Sequence, residues 1–129
     1  MKASVLIVDN DSHTRDILLN ALLTEQYNIV GQMRNRWEVV ARCVEIKPDL
    51  VLLGVTMPNM DELNILQGLR TSIPSVPVVI VSGDATADLV KNALANGAAG
   101  IIVKPFTIAR VLEVVRKSTK STGVTVRSC

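Results

Sequence analysis

The stretch ASVLIVDND, residues 3–11, joins a continuous apolar run to the polar residues Asp9, Asn10 and Asp11. An unbroken apolar run is typical of a parallel strand buried on both faces, because a strand with one face in water would alternate apolar and polar side chains. Further strands are predicted at residues 28–33, 50–53, 76–81 and 99–103.

Stretches with apolar side chains at helical spacing separate these strands. The first follows Ser12, which is expected to cap a helix, and the others lie within residues 37–44, 63–69, 89–94 and 111–115. Gly97 is expected to end the fourth helix. Strands that alternate with helices form parallel βαβ units with right-handed crossovers. We therefore predict an α/β fold, a doubly wound parallel sheet of five strands with five helices on its two faces.

The composition fits a single globular domain. The chain has 129 residues, and its apolar side chains are mostly aliphatic. No apolar run approaches the roughly 20 residues of a membrane span, and no basic-then-apolar leader opens the sequence. Cys43 and Cys129 do not form the pattern of a disulfide framework. We therefore expect a cytoplasmic protein with no membrane partner.

Residues with complementary chemistry stand where the predicted strands end. Asp9 follows the first strand, Ser82 the fourth and Lys104 the fifth, and the carboxyl ends of parallel strands meet at one edge of a sheet. Carboxylates can hold a hard divalent cation, while a hydroxyl and an ammonium can bind phosphoryl oxygens. The third strand runs into Gly54, which has no side chain. The edge resembles a phosphoryl site that lacks its central carboxylate.

Short motifs at these strand ends resemble, in order and spacing, the receiver domain of bacterial two-component response regulators. They are VDND (residues 8–11), GVTMPNMD (54–61), VSG (81–83) and VKPF (103–106). Each motif alone is common, whereas the ordered set is specific, and the resemblance covers about residues 3–117. It implies a flavodoxin-like fold with strand order 2-1-3-4-5, a receiver domain over residues 1–119, and a tail or truncated linker over 120–129.

The resemblance implies a weakened metal site. In the family, two acids after the first strand bind magnesium; Asp9 matches the first, and the uncharged Asn10 stands in place of the second. Thr56 would add only a backbone carbonyl, and Asp11 is displaced by one position and matches a helix cap. Magnesium is usually bound through carboxylates. We therefore expect weak or absent magnesium binding and no cofactor.

The resemblance also implies a silenced phosphate site. Gly54 takes the position of the phosphate-accepting aspartate, so no catalytic residue remains. Ser82 and Lys104 match the switch hydroxyl and the phosphate-binding lysine, and we interpret them as remnants. The lysine–proline bond is typically cis in the family. We therefore expect a cis bond between Lys104 and Pro105, with the Lys104 ammonium directed toward Asp9.

The switch of the family is altered as well. Ile101 stands where the family usually has an aromatic switch residue, and branching at its Cβ limits its rotamers. We expect Ile101, Pro105 and Phe106 to belong to a switch and partner face made by the fourth helix, fifth strand and fifth helix. This face is expected to hold one resting conformation.

Together these features predict a receiver domain of phosphorelay signalling that is not an enzyme and that binds a protein partner independently of phosphorylation. One alternative is a conventional receiver that uses Asp9 or Asp11 as a substitute acceptor. A second is the receiver fragment of a DNA-binding transcriptional regulator, and a homodimer is also left open.

Other binding functions have weaker support. No GxGxxG or GxxxxGK[ST] loop supports nucleotide binding. Residues 90–129 hold seven basic residues and one acid, but no helix-turn-helix pattern follows residue 117, so nucleic acid is not an expected partner of this segment.

Overall fold

One parallel sheet of five strands organises the protein. The computed structural model describes residues 3–34, 38–55, 60–83 and 86–120, with the side chains of 60–63 and 120 excepted. The strands are β1 Ser4–Val8, β2 Asn28–Met33, β3 Leu50–Val55, β4 Val78–Ser82 and β5 Gly100–Val103. Their order is β2-β1-β3-β4-β5, and each neighbouring pair is parallel. The predicted fold and strand order are confirmed.

A helix follows each strand along the chain. These helices are α1 Ser12–Thr24, α2 Glu38–Ile46, α3 Met60–Ser72, α4 Ala87–Ala95 and α5 Ile108–Lys120. Asn96 caps the end of α4, and Gly97 follows at a φ of 93°, a left-handed conformation that glycine adopts without strain. Helix α5 includes Lys120, one residue into the predicted tail, and residues 121–129 lie outside the described chain. No helix of the described residues is long and apolar enough to span a membrane.

The sheet divides the core into two layers because successive side chains of a strand point to opposite faces. The first core layer contains Leu6 and Val8 of β1, Val51 and Leu53 of β3, and buried residues of α2, α3 and α4. The second core layer contains Val5 and Ile7 of β1, Leu50 and Leu52 of β3, and buried residues of α1 and α5. Every side of the central strands is therefore covered, as their continuous apolar runs predict.

The residue that caps helix α1 lies one position before the predicted cap. Asp11, and not Ser12, is the capping residue: its backbone is extended, and its carboxylate accepts hydrogen bonds from the His13 N–H at 3.1 Å and the Thr14 hydroxyl at 2.8 Å. The prediction of a Ser12 cap is wrong, because Ser12 is already helical. The alternative assignment of Asp11 as a helix cap is confirmed.

Two strands end later in the chain than the apolar runs indicate. Strand β3 continues to Val55, so Gly54 lies within the strand and pairs with Val81 of β4. Strand β4 begins at Val78 and ends at Ser82, which pairs with Val55 on one side and Val103 on the other. Backbone pairing between neighbouring strands thus continues past the apolar runs and includes Gly54 and Ser82.

Cys43 offers a test of the first core layer. Its thiol is fully buried on α2, and burial raises its pKa from 9.0 to about 11. In a Cys129→Ser background, we expect Cys43 to react with a thiol reagent at pH 8 only as fast as the fold opens. Full labelling within seconds, at the rate seen in urea, would contradict the buried position.

The same thiol predicts a pH dependence of stability. A raised folded pKa means that the unfolded state loses its proton first, so the contribution of Cys43 is complete below pH 9 and falls as pH rises toward 11. Relative to C43A/C129S, the C129S protein should lose about 2 kcal/mol of unfolding free energy between pH 7 and pH 10.5. Urea titrations of both variants at the two pH values measure this difference.

Candidate functional site

The predicted site residues meet at the carboxyl edge of the sheet, defined here by the ends of β1, β3, β4 and β5. Asp9 directly follows β1, Gly54 is the penultimate residue of β3, and Ser82 is the last residue of β4. Lys104 directly follows β5, and its N–H donates to the Ser82 carbonyl at 2.8 Å. Because Val8 pairs with Leu53, the next residues along both strands, Asp9 and Gly54, lie side by side.

Asp9 is a buried carboxylate held by two unlike contacts. Only 2% of the residue is exposed. Its Oδ1 accepts the Asp11 N–H at 2.9 Å, and its Oδ2 lies 3.7 Å from the Lys104 Nζ. Oδ2 is buried and has no hydrogen bond, so the lysine charge is what compensates it. The predicted direction of the Lys104 ammonium toward Asp9 is confirmed, and the bond between Lys104 and Pro105 is cis as expected.

Gly54 leaves room that the Asp9 carboxylate occupies. A Cβ placed on Gly54 would lie 2.2 Å from Oδ2 and 2.5 Å from Cγ of Asp9. These separations are far below van der Waals contact, so no side chain fits at residue 54 while Asp9 keeps this conformation. The carboxylate at this edge thus comes from β1, and it stands against the backbone of β3.

The remaining predicted ligands are less closely placed. Asn10 is exposed, and Thr56 lies outside the described residues. The oxygens of Asp11 accept the hydrogen bonds that cap α1. The hydrogen bond from the Thr14 hydroxyl is the largest cause that lowers the pKa of the Asp11 carboxyl, and the His13 N–H and the Lys104 charge lower it further. Desolvation opposes this shift more weakly. Ser82 is fully buried.

The residues described at this edge offer a magnesium ion few of the oxygen ligands that it prefers. Magnesium demands octahedral oxygen coordination and is usually bound through one or two carboxylates. The sole buried carboxylate described here faces an N–H with one oxygen and an ammonium near the other. Across the described chain, no three His, Cys, Asp or Glu side chains form a group that could hold a metal ion.

The three residues predicted as a switch and partner face lie in different surroundings. Ile101 packs against the first core layer, and Phe106 packs against the second. Pro105, which lies between these two residues in the sequence, is exposed. Ile101 and Phe106 therefore contact opposite halves of the core.

Sequence reasoning missed four residues near these features. Arg15 of α1 donates a hydrogen bond to the backbone carbonyl of Asp9, and only its position one turn into the helix could have suggested this. Leu94 of α4, Val103 of β5 and Ile108 of α5 are exposed large apolar side chains. Single exposed apolar residues are common on protein surfaces, so no local signal in the sequence distinguished these three.

Comparison with known proteins agrees with this fold. The chemotaxis protein CheY of Listeria monocytogenes is 36% identical over 116 residues, which cover 90% of this chain and 98% of that protein. A solved response regulator from Thermotoga maritima has a TM-score of 0.85 at 28% identity, covering 93% of this chain and 99% of the other. The CheX–CheY–BeF3–Mg complex from Borrelia burgdorferi gives a TM-score of 0.82 at 32% identity, with coverage of 89% and 87%.

A model of the response regulator receiver domain matches residues 5–116. The chain belongs to this family, whose members are signalling modules of two-component systems.

Because Lys104 pairs with a buried carboxylate, we expect its removal to destabilise the protein more than removal of a surface lysine. Lys104→Met leaves the buried Asp9 carboxylate without its cation and should lower the unfolding free energy by about 2–3 kcal/mol. Lys117 is the matched control, because its side chain is 76% exposed and lies 3.9 Å from Glu113 on the surface of α5. Lys117→Met should cost less than about 1 kcal/mol. Equal losses in urea titrations would contradict the buried pair.

Proposed function

We propose that this receiver domain signals by binding a protein partner and that it does so without being phosphorylated. The observation that carries the proposal is Gly54 at the end of β3, with the Asp9 carboxylate in the space that a side chain there would need. A phosphoryl group is accepted by a nucleophilic side chain at that strand end, and glycine offers none.

The electrostatics of the edge support the same conclusion. Phosphoryl transfer relies on a cation that neutralises charge on the equatorial oxygens. Here the buried carboxylate has a lysine beside it, and Asn10 adds no charge. We therefore propose that magnesium is not required for folding or for partner binding.

The substitute acceptors are less favoured by the geometry. Asp9 is almost completely buried, and both of its oxygens face protein groups. Asp11 is exposed, but its oxygens accept the hydrogen bonds that cap α1. Phosphorylating either carboxylate would remove a contact that the fold uses.

The partner face that we propose is formed by α4, β5 and α5. Strand β5 lies at one edge of the sheet, between these helices in the chain, and each of the three elements exposes a large apolar side chain: Leu94, Val103 and Ile108. Apolar side chains that form one continuous exposed patch are typical of protein-binding surfaces, and we propose that these three contribute to such a patch. The related CheY of Borrelia burgdorferi was solved in complex with CheX, which is in line with a protein partner.

The first test is phosphorylation itself. Wild-type protein treated with acetyl phosphate and magnesium should show no added phosphoryl mass. Gly54→Asp alone should be modified slowly, because Asp9 must first move and Asn10 supplies no charge, whereas Asn10→Asp/Gly54→Asp should be modified faster. A phosphorylatable CheY serves as positive control. A hydroxylamine-sensitive phosphoryl group on the wild-type chain would overturn the proposal.

The second test concerns the partner face. In quantitative pull-downs from extracts of the source cells, Leu94→Glu should lose the specific partner, because a charge replaces an exposed apolar contact. Val44→Glu on α2 is the matched control, since Val44 is similarly exposed and its helix does not belong to the proposed face. Acetyl phosphate should leave recovery unchanged; a tenfold change would mean about 1.4 kcal/mol of coupling and a working phosphoryl switch.

A further inference from the structure

We propose that the Asp9 carboxylate is a built-in replacement for the group that this edge has lost. It fills the space beside Gly54 and serves as the permanent counter-ion of Lys104. This ion pair closes the carboxyl edge of the sheet to cations and to phosphoryl donors. The inference deepens the proposed function and rests on it, because a domain that accepted phosphoryl groups would have to release its lysine from this pair.

The steric part of the inference rests on Gly54. An ideal Cβ at this residue would come within 2.2 Å of Oδ2, 2.5 Å of Cγ and 3.0 Å of Cβ of Asp9. The two closest atoms belong to the end of the Asp9 side chain, so any side chain at residue 54 would force Asp9 into another rotamer and away from its present contacts. This position of Asp9 therefore requires glycine at residue 54.

The electrostatic part rests on Lys104. Its ammonium reaches from the end of β5 to the end of β1, over β3 and β4, which separate these two strands in the sheet. The Lys104 side chain is only 25% exposed, and Asp9 Oδ2 is buried without a hydrogen bond. Charge attraction at low exposure is stronger than at the surface, and an unpaired buried charge is costly. Each of the two charges is therefore needed to keep the other in place.

Hydrogen bonds from residues at the start of α1 hold Asp9 in this position. The Asp11 N–H binds Oδ1, and the Arg15 guanidinium binds the Asp9 carbonyl, so α1 fixes both the residue and one of its oxygens. The other carboxylate oxygen, Oδ2, accepts no hydrogen bond and is directed at residue 54 and at Lys104. The edge behaves as a closed ion pair supported by the first turn of α1.

A double-mutant cycle tests the steric part. Gly54→Ala should raise the unfolding equilibrium constant about tenfold or more in the wild-type background, and about threefold or less in an Asp9→Ala background, where the contacts at 2.2 and 2.5 Å are gone and the contact with Cβ at 3.0 Å remains. Gly31→Ala is the matched control: its Cβ would meet the Leu6 Cδ1 at 2.9 Å, away from Asp9. The effect of Gly31→Ala should be the same in both backgrounds within about twofold.

Rescue by a small carboxylate tests the electrostatic part. Asp9→Ala leaves Lys104 unpaired beside a space of carboxylate size, so tens of millimolar formate should raise its melting temperature by about 2–6 °C over chloride at equal ionic strength. Formate should not stabilise wild type or Asp9→Ala/Lys104→Met. If Asp9→Ala does not fold, Asp9→Ser replaces it in both experiments, with formate rescue expected to be weaker.

The outcomes separate this inference from the proposed function. Equal costs of Gly54→Ala in both backgrounds, or formate no better than chloride, would overturn the inference even if the wild type stays unphosphorylated. Phosphorylation of the wild type would overturn the proposed function, and it is measured without any of these variants.

Discussion

The structure depends on complete burial of a central parallel strand. Every residue of β3 is buried, and β3 is paired to β1 on one side and to β4 on the other. A strand with no accessible face requires helices on both sides, and burying each of its large aliphatic side chains contributes roughly 1.5–3 kcal/mol. The register that follows brings Asp9 beside Gly54 and Ser82 beside Val103. The carboxyl edge is thus a product of core packing.

Most of the fold could be predicted from local sequence. Continuous apolar runs identified the strands, and helical spacing identified the helices, because burial imposes different periods on the two elements. The strand order came from the resemblance to receiver domains, since local patterns do not contain it. The extension of β3 beyond Leu53 was missed because Gly54 has no apolar side chain, although its backbone continues the pairing with β4.

The sequence was enough to predict which residues form the site, but less of their arrangement. Opposite charges at one edge of the sheet, together with the resemblance to receiver domains, were enough to predict that Lys104 would face Asp9. The missing side chain of Gly54 did not reveal what would fill the space, because this depends on the rotamer of a residue on another strand. The contact from Arg15 to the Asp9 carbonyl is likewise a tertiary contact that the sequence spacing does not specify.

The crowding between Asp9 and residue 54 has a consequence for the history of such a domain. Two glycine codons differ from aspartate codons at a single base, so a change from glycine to aspartate is genetically close. The resulting side chain, however, would meet a carboxylate already in its place. A lineage with this arrangement would accept a larger residue at position 54 only together with a rearrangement of Asp9 and its lysine. The glycine is thereby entrenched, because a single substitution at residue 54 is penalised until a second one has moved the carboxylate.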